Sequence, residues 1–228
     1  MRVVLLTHCS PEYQSLGDIT LPRWEKYCAK WGYDFDVSRT QSSPDLPWEK
    51  MRRIASFLQQ YDLVQWVGVD TYCTNLNQNA VGWWHANDQP AALLTWDLYG
   101  INADSMIFSN CPWAHMFLYA INTLGKNFYH SHPFLEQEAL SRFAFQKPYC
   151  DVVKIIPQKG MNSYLHKVYG RPEEWPGNWE PGDWILHLPG MTVELRIQIL
   201  GEIEKILGKL NTAGCSTKGQ IQPVPGDS

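Results

Sequence analysis

The chain lacks the marks of several function classes. No two of its six cysteines (positions 9, 28, 73, 111, 150 and 215) form a CxxC pair, and their irregular spacing fits no zinc module. They read as free, mostly buried thiols of a reducing compartment rather than as a disulfide scaffold. Lys and Arg form no run long enough to grip an anionic membrane. With 19 basic against 23 acidic residues and a formal net charge of −4, the chain also lacks the basic footprint that a phosphate backbone needs, which argues against nucleic acid as the main partner. No apolar stretch approaches the ~20 residues of a membrane span. The N-terminal run, residues 1–6, stops at Thr7-His8 and is too short for a signal-peptide core. Taken as it stands, the sequence reads as that of a cytoplasmic protein with no transmembrane segment. No internal repeat is present.

Aromatic residues, by contrast, are plentiful, with 11 Trp and 11 Tyr among 228 residues. An indole can stack on the C–H face of a sugar ring, and it equally fills cores and cleft walls. The length suits one well-packed domain, expected over residues 1–210, with a Gly-, Ser-, Thr- and Pro-rich tail over 211–228 that reads as disordered. An apolar strand over 3–6, a helix over 21–31 stopped by Gly32, an alternating strand over 33–37, a helix over 48–61 and a buried strand over 63–69 follow one another. That order predicts an α/β fold: a mostly parallel central sheet flanked by helices. Further strands are expected over 91–95, 105–108 and 184–187, and helices over 113–124, 136–145 and 193–207. In such sheets ligands gather at the carboxyl ends of the strands, so Thr7, Asp70 and the loop after the last strand come first as site candidates.

The apolar run ending Trp66-Val67-Gly68-Val69-Asp70 closes on a carboxylate. Such an Asp either turns the chain or holds a divalent ion that neutralises a diphosphate leaving group. His187, in Trp184-Ile185-Leu186-His187-Leu188-Pro189-Gly190, is either a satisfied core histidine or a metal ligand aimed into the turn, and Gly190 would let the backbone approach a phosphate.

Six segments, in order, resemble the α-galactosyl-, α-mannosyl- and α-xylosyltransferases of fungal and plant Golgi and, more loosely, the glycogenin-type transferases. They are Tyr27-Cys28-Ala29-Lys30-Trp31-Gly32-Tyr33-Asp34; Trp48-Glu49-Lys50 with residues 61–70; Gly100-Ile101-Asn102-Ala103-Asp104 with residues 105–110; Glu136-Gln137-Glu138-Ala139-Leu140; Ile156-Pro157-Gln158 with residues 159–164; and Gly182-Asp183-Trp184 through Gly190. The resemblance implies a GT-A fold and a retaining transfer of sugar from a nucleotide-sugar donor, UDP- before GDP-sugar, to a glycan acceptor. It also implies Mn²⁺ (or Mg²⁺) held by Asp70 and His187, the counterparts of the last Asp of DxD and the His of HxxG. Lys50 would reach the donor, and Thr7 and Tyr33 would hold its base and ribose. Asn102, Glu136 and Gln137 would line the sugar pocket as the catalytic candidates, with Asp104, Asn162 and Gly190 as further donor contacts.

Each of these residues also has a plainer reading. Lys50 can be a solvated helix charge, Asn102 a turn cap, Glu136 and Gln137 favourable first-turn residues, and Asn162 a loop hydrogen-bonder. Acceptor contacts are expected from Trp83-Trp84 and from residues 175–184.

Two departures from the pattern stand out. Gly68 replaces the first Asp of DxD, and Asp104 replaces a Gly. The carboxylate at 104 either stands in for the missing one, bonds its own loop or meets an acceptor hydroxyl. An Asp restored at 68 is expected to leave metal binding unchanged or tighter. The absent membrane anchor suits a viral, bacterial or otherwise cytosolic form. The competing reading is a catalytically weakened sugar-nucleotide or carbohydrate binding module. A glycosidase using Glu136 and Glu138 is disfavoured, because residues i and i+2 of a helix face apart.

Overall fold

The computed structural model describes residues 1–165, 170 and 174–212. In chain order the elements are β1 (Val3–His8), α1 (Gln14–Trp31), β2 (Asp34–Ser38), α2 (Leu46–Phe57), β3 (Leu63–Val67), β4 (Thr71–Cys73), α3 (Ala80–Ala86), β5 (Ala92–Asp97), β6 (Gly100–Ser109), α4 (Pro112–Ala120), α5 (Lys126–Tyr129), α6 (Leu135–Ala144), β7 (Val153–Ile156), α7 (Gln158–Met161), β8 (Ser163–Tyr164), β9 (Ile185–His187) and α8 (Val193–Thr212).

Six strands form the central sheet in the order β2-β1-β3-β6-β5-β7. The β1/β2, β1/β3 and β5/β7 pairs are parallel, while β6 runs antiparallel to both its neighbours. The expected mostly parallel sheet flanked by helices is therefore present, with one reversed strand. β1 and β3 are apolar because both faces are covered. On one face Val4, Leu6 and Val64 meet Trp48, Met51 and Ile54 of α2, Phe117 of α4 and Leu140 of α6. On the other, Val3, Leu5 and Leu63 meet Trp24 and Tyr27 of α1, together with Trp184 and Met161. α1 ends on Gly32 at φ 67°, whose N–H caps the Cys28 carbonyl.

A smaller sheet, β4-β9-β8, sits at the carboxyl edge of the large one. α8 packs Leu200, Ile203 and Leu207 against Leu16, Tyr72 and Leu186, and the Tyr72 hydroxyl donates to the Glu204 carboxylate. β4, α3 and β7 are too short to show a period in sequence, and the strand expected at 105–108 is the second half of a ten-residue β6. α8 runs past the expected end of the domain to Thr212; the rest of the tail and Cys215 lie outside the described residues. The five described cysteines are free. Among the described residues no helix is long and apolar enough to cross a membrane.

Trp48 is fully enclosed between α2, α6 and the sheet. Trp48→Ala is expected to lower unfolding free energy by about 3–5 kcal/mol in urea denaturation; a loss below about 1 kcal/mol would show that the cavity collapses.

Candidate active site

Three hydrogen bonds to backbone carbonyls assemble the site. After β3 the chain turns, with Thr71 Oγ1 donating to the Gly68 carbonyl (2.7 Å), and Asp70 is presented at the strand's carboxyl end. Because β6 is antiparallel, its first half lies at that same end, where Gly68 N–H donates to the Asp104 carbonyl (2.9 Å). β9 pairs with β4 so that His187 faces Thr71, and Leu188 N–H donates to the Asp70 carbonyl (3.1 Å). Ligand atoms of Asp70, Asp104 and His187 thereby lie within 4.8 Å of one another.

Each carboxylate is divided between an internal cation and the imidazole. Asp70 Oδ2 accepts from Arg196 Nη2 (2.9 Å) and its Oδ1 stands 3.4 Å from His187 Nε2. Asp104 Oδ1 accepts from Lys50 Nζ (3.3 Å) and its Oδ2 stands 3.9 Å from His187 Nε2. Burial opposes ionisation of Asp70, yet His187 and Arg196 hold its pKa below the usual carboxylate value. Burial likewise opposes charge on His187, yet Asp70, then Asp104 and Asp97, raise its pKa. That field favours a positive charge at Nε2, whether a proton or a metal ion that displaces it.

The ring's other nitrogen, Nδ1, is tied to Asn162 Oδ1 (2.8 Å), as in histidines whose free nitrogen binds metal. Nε2 itself is buried without a hydrogen-bond partner. An orphaned imidazole nitrogen facing two carboxylate oxygens fits a divalent cation.

Two cavities meet at this cluster. The first, of about 210 Å³, is lined by His8, Ser10, Tyr13, Pro47, Lys50 and Asp70 among others. The second, of about 450 Å³, is lined by Asn102, Gln137, Tyr164, His187 and Gly190 among others, and Asp104 lines both. Gly190 adopts φ +67°, with no atom within 4 Å of where a Cβ would stand, so only backbone borders the second cavity there.

The remaining candidates are distributed less simply. Thr7 is fully buried one residue short of the first cavity, which His8 reaches instead. Burial and then the Arg53 charge lower the His8 pKa, keeping the ring neutral, and its Nε2 is buried without a partner. His8, Ser10 and Tyr13 were not singled out from sequence, although the end of β1 was; the side-chain alternation of a strand moved the contact by one position. Tyr33 turns away from both cavities and binds the start of α3 through Asn79 Oδ1 (3.2 Å). Lys50 gives its three ammonium hydrogens three acceptors: Glu136 (2.7 Å), the Ala103 carbonyl (2.9 Å) and Asp104 (3.3 Å). Glu136 is buried on Lys50, while Glu138 pairs outward with Arg142 (2.6 Å), so the two acids face apart as helical spacing requires. Asn102 accepts from Asp104 N–H (2.8 Å) and donates to Asp97 (3.0 Å).

The expected acceptor contacts are corrected. Trp83 stacks on the fully buried Trp184 (6.2 Å, 4° between planes), Trp84 donates to the Pro90 carbonyl (2.9 Å), and Trp179 is 7% exposed. Trp83, Trp84 and Trp184 pack with Trp24, Tyr27 and Met161 over the sheet's second face, and Trp179 packs with Tyr72 and Leu186 beside α8.

The space above Gly68 is already taken. A Cβ there would stand 2.8 Å from Asp70 Oδ1 and 3.0 Å from Asp104 Cβ. Asp104 occupies, from the neighbouring strand, the room a side chain at 68 would fill, so an Asp at 68 requires Asp70 or Asp104 to shift, which argues for weaker rather than unchanged or tighter metal binding.

Gly68→Asp alone is expected to weaken Mn²⁺ binding and lower the melting temperature, whereas pairing it with Asp104→Gly recovers binding to within about tenfold of the parent. Calorimetric Mn²⁺ titration of the three proteins checks this; a single variant that binds as tightly as the parent would mean that β3 and β6 spread. Asn162→Ala, which frees the imidazole, is expected to raise the Mn²⁺ dissociation constant about 10–100-fold in the same titration.

Similar folds are found in solved glycosyltransferases. One involved in glycosylation of the major capsid of PBCV-1 superposes with a TM-score of 0.68 at 14% identity, covering 89% of this chain and 100% of that one. GlyE of Streptococcus pneumoniae TIGR4 gives 0.53 at 13% identity over 97% of this chain and 67% of that one. Mouse xyloside xylosyltransferase 1 gives 0.50 at 10% identity over 83% and 98%. No curated protein matches the chain by sequence. The family model of the galactosyl transferases GMA12/MNN10 matches residues 84–197, half of the chain, and takes in both Asp104 and His187. The chain belongs to the galactosyl transferase GMA12/MNN10 family and is a glycosyltransferase of GT-A type.

Proposed function

We propose that the chain moves a hexose or pentose from a nucleoside-diphosphate sugar to a glycan hydroxyl, with retention of configuration and with Asp70, Asp104 and His187 holding Mn²⁺ (or Mg²⁺). The observation that carries this reading is the Asp-Asp-His cluster standing where two cavities join. A donor laid across it would have its base and ribose among His8, Ser10 and Tyr13, its diphosphate at Asp70 and Asp104, and its sugar beside Gln137 and Gly190. The donor we favour is a UDP-sugar over a GDP-sugar, as the segment resemblance implies. A cation held by Asp70, Asp104 and His187 would supply positive charge to offset that of the diphosphate leaving group. Two carboxylates with one imidazole suit Mn²⁺ better than Mg²⁺, which prefers oxygen alone.

The protein's own groups divide the remaining work. Arg196 and Lys50 each hold one oxygen of the two carboxylates and so aim the other. Asn102 holds the backbone of Asp104 in place, and Asn162 sets the imidazole tautomer. Gln137 lines the sugar cavity, and its carboxamide makes no hydrogen bond among the described residues. Its amide oxygen is therefore the group offered to positive charge developing on the sugar ring, which supports retention without a carboxylate nucleophile.

Hydrolysis and calorimetry across a UDP- and GDP-sugar panel, with and without Mn²⁺, test this. Asp70→Ala and Asp104→Ala are expected to lower metal-dependent turnover by about a hundredfold or more. Normal donor and metal binding by Asp70→Ala would remove the site assignment. Nucleotide-sugar binding with no turnover toward water or glycans would favour the binding-module reading instead.

A further inference from the structure

Four aromatic side chains stand in water beside the second cavity. Trp96 and Tyr99 lie at the β5–β6 turn, and Phe134 and Phe145 flank the two ends of α6; they are 46, 65, 44 and 58% exposed. They meet in pairs, Tyr99 with Phe134 at 5.8 Å and Trp96 with Phe145 at 5.6 Å between ring centroids. Exposed large apolar groups gathered in one place mark a binding surface more often than scattered ones do.

A third cavity of about 540 Å³ lies between this turn and α6, walled by Trp96, Tyr99 and Phe145 together with Glu138, Arg142 and Gln146. Leu98 and Tyr99 line both this cavity and the second one, so the two adjoin across a single turn. α6 spans them as well, with Gln137 at the second and Glu138 and Arg142 at the third.

The lining mixes ring surface with charged hydrogen-bonding groups. Arg142 spends one N–H on Glu138 (2.6 Å), and a guanidinium has further donors to give. A pyranose presents the matching chemistry, an apolar C–H face bordered by hydroxyls. An apolar helix or a lipid chain laid here would cover the remaining Arg142 donors and the Gln146 amide without offering them partners.

We propose that this furrow is the acceptor subsite, which binds the sugar rings preceding the accepting hydroxyl. The acceptor is accordingly an oligosaccharide of two or more rings rather than a free monosaccharide. The inference rests on the donor reading above, since it is the second cavity that would carry the transferred sugar.

The test measures binding of mono- to tetrasaccharides of glucose, galactose, mannose and xylose to the full chain without nucleotide, by ligand-observed NMR and calorimetry. At least one tetrasaccharide is expected to bind tenfold or more tightly than its terminal monosaccharide. Trp96→Ala and Phe145→Ala should each reduce that advantage to about twofold or less, with melting temperatures recorded to verify folding. Trp113→Ala, another exposed tryptophan remote from these cavities, should keep it. Equal binding of long and short glycans, a length preference that survives both substitutions, or no glycan binding by a chain that binds nucleotide sugar overturns the subsite. Self-association abolished by Trp96→Ala also overturns it, by making the face an interface between copies. A chain that binds no nucleotide sugar, measured separately, defeats the donor reading and not the furrow.

Discussion

Two carboxylates side by side repel each other, by about 4 kcal/mol at 4 Å in a medium of effective dielectric 20. The carboxyl edge of this sheet is built around that repulsion. Arg196 from α8 and Lys50 from α2 stand behind Asp70 and Asp104 and take one oxygen of each. Glu136 from α6 in turn balances Lys50, which is buried too deeply for water to do so. The two remaining oxygens are left toward the unpartnered nitrogen of His187. Three helices that bury apolar faces elsewhere thus each send one charged side chain to the same point. A change in any of those packings alters the spacing of the carboxylates.

The exchange of side chains between positions 68 and 104 follows from the same constraint. The antiparallel pairing brings position 68 of the β3 end against Asp104 of β6, so a side chain at 68 and the one at 104 would compete for the same room. What the chemistry requires is a charge at a place, and a motif written along one strand records only one way of putting it there. The family match extends over residues 84–197 and so includes Asp104 and His187 but not the strand that carries Asp70. The departure from the expected motif falls at the junction of those two parts.

Much of the fold was legible in the chain. The apolar runs that became β1 and β3 and the periodic faces of α1, α2 and α8 are long enough to carry a signal, because each buries a whole face. The site was legible in part. Asp70 and His187 end strands at the ligand-bearing edge, and the ordered segments tied them together. Tyr33, Glu136 and the indoles at 83, 84 and 184 carry the right chemistry for a sugar site, yet the structure spends them on packing and internal pairing. Nothing local distinguishes an indole in a core from one under a sugar, since both present the same apolar face.

The sequence by itself determined the α/β order, the family and the two residues at the heart of the cluster, because these depend on patterns read along one strand or helix. Only the tertiary structure decided that Asp104 fills the place above Gly68, that Lys50 faces inward, that His8 rather than Thr7 reaches the cavity, and that the exposed rings lie at the β5–β6 turn. Each of those outcomes turns on which segments distant in the chain become neighbours. Cross-strand register and the packing of α6 and α8 fix distances that no spacing along the chain encodes.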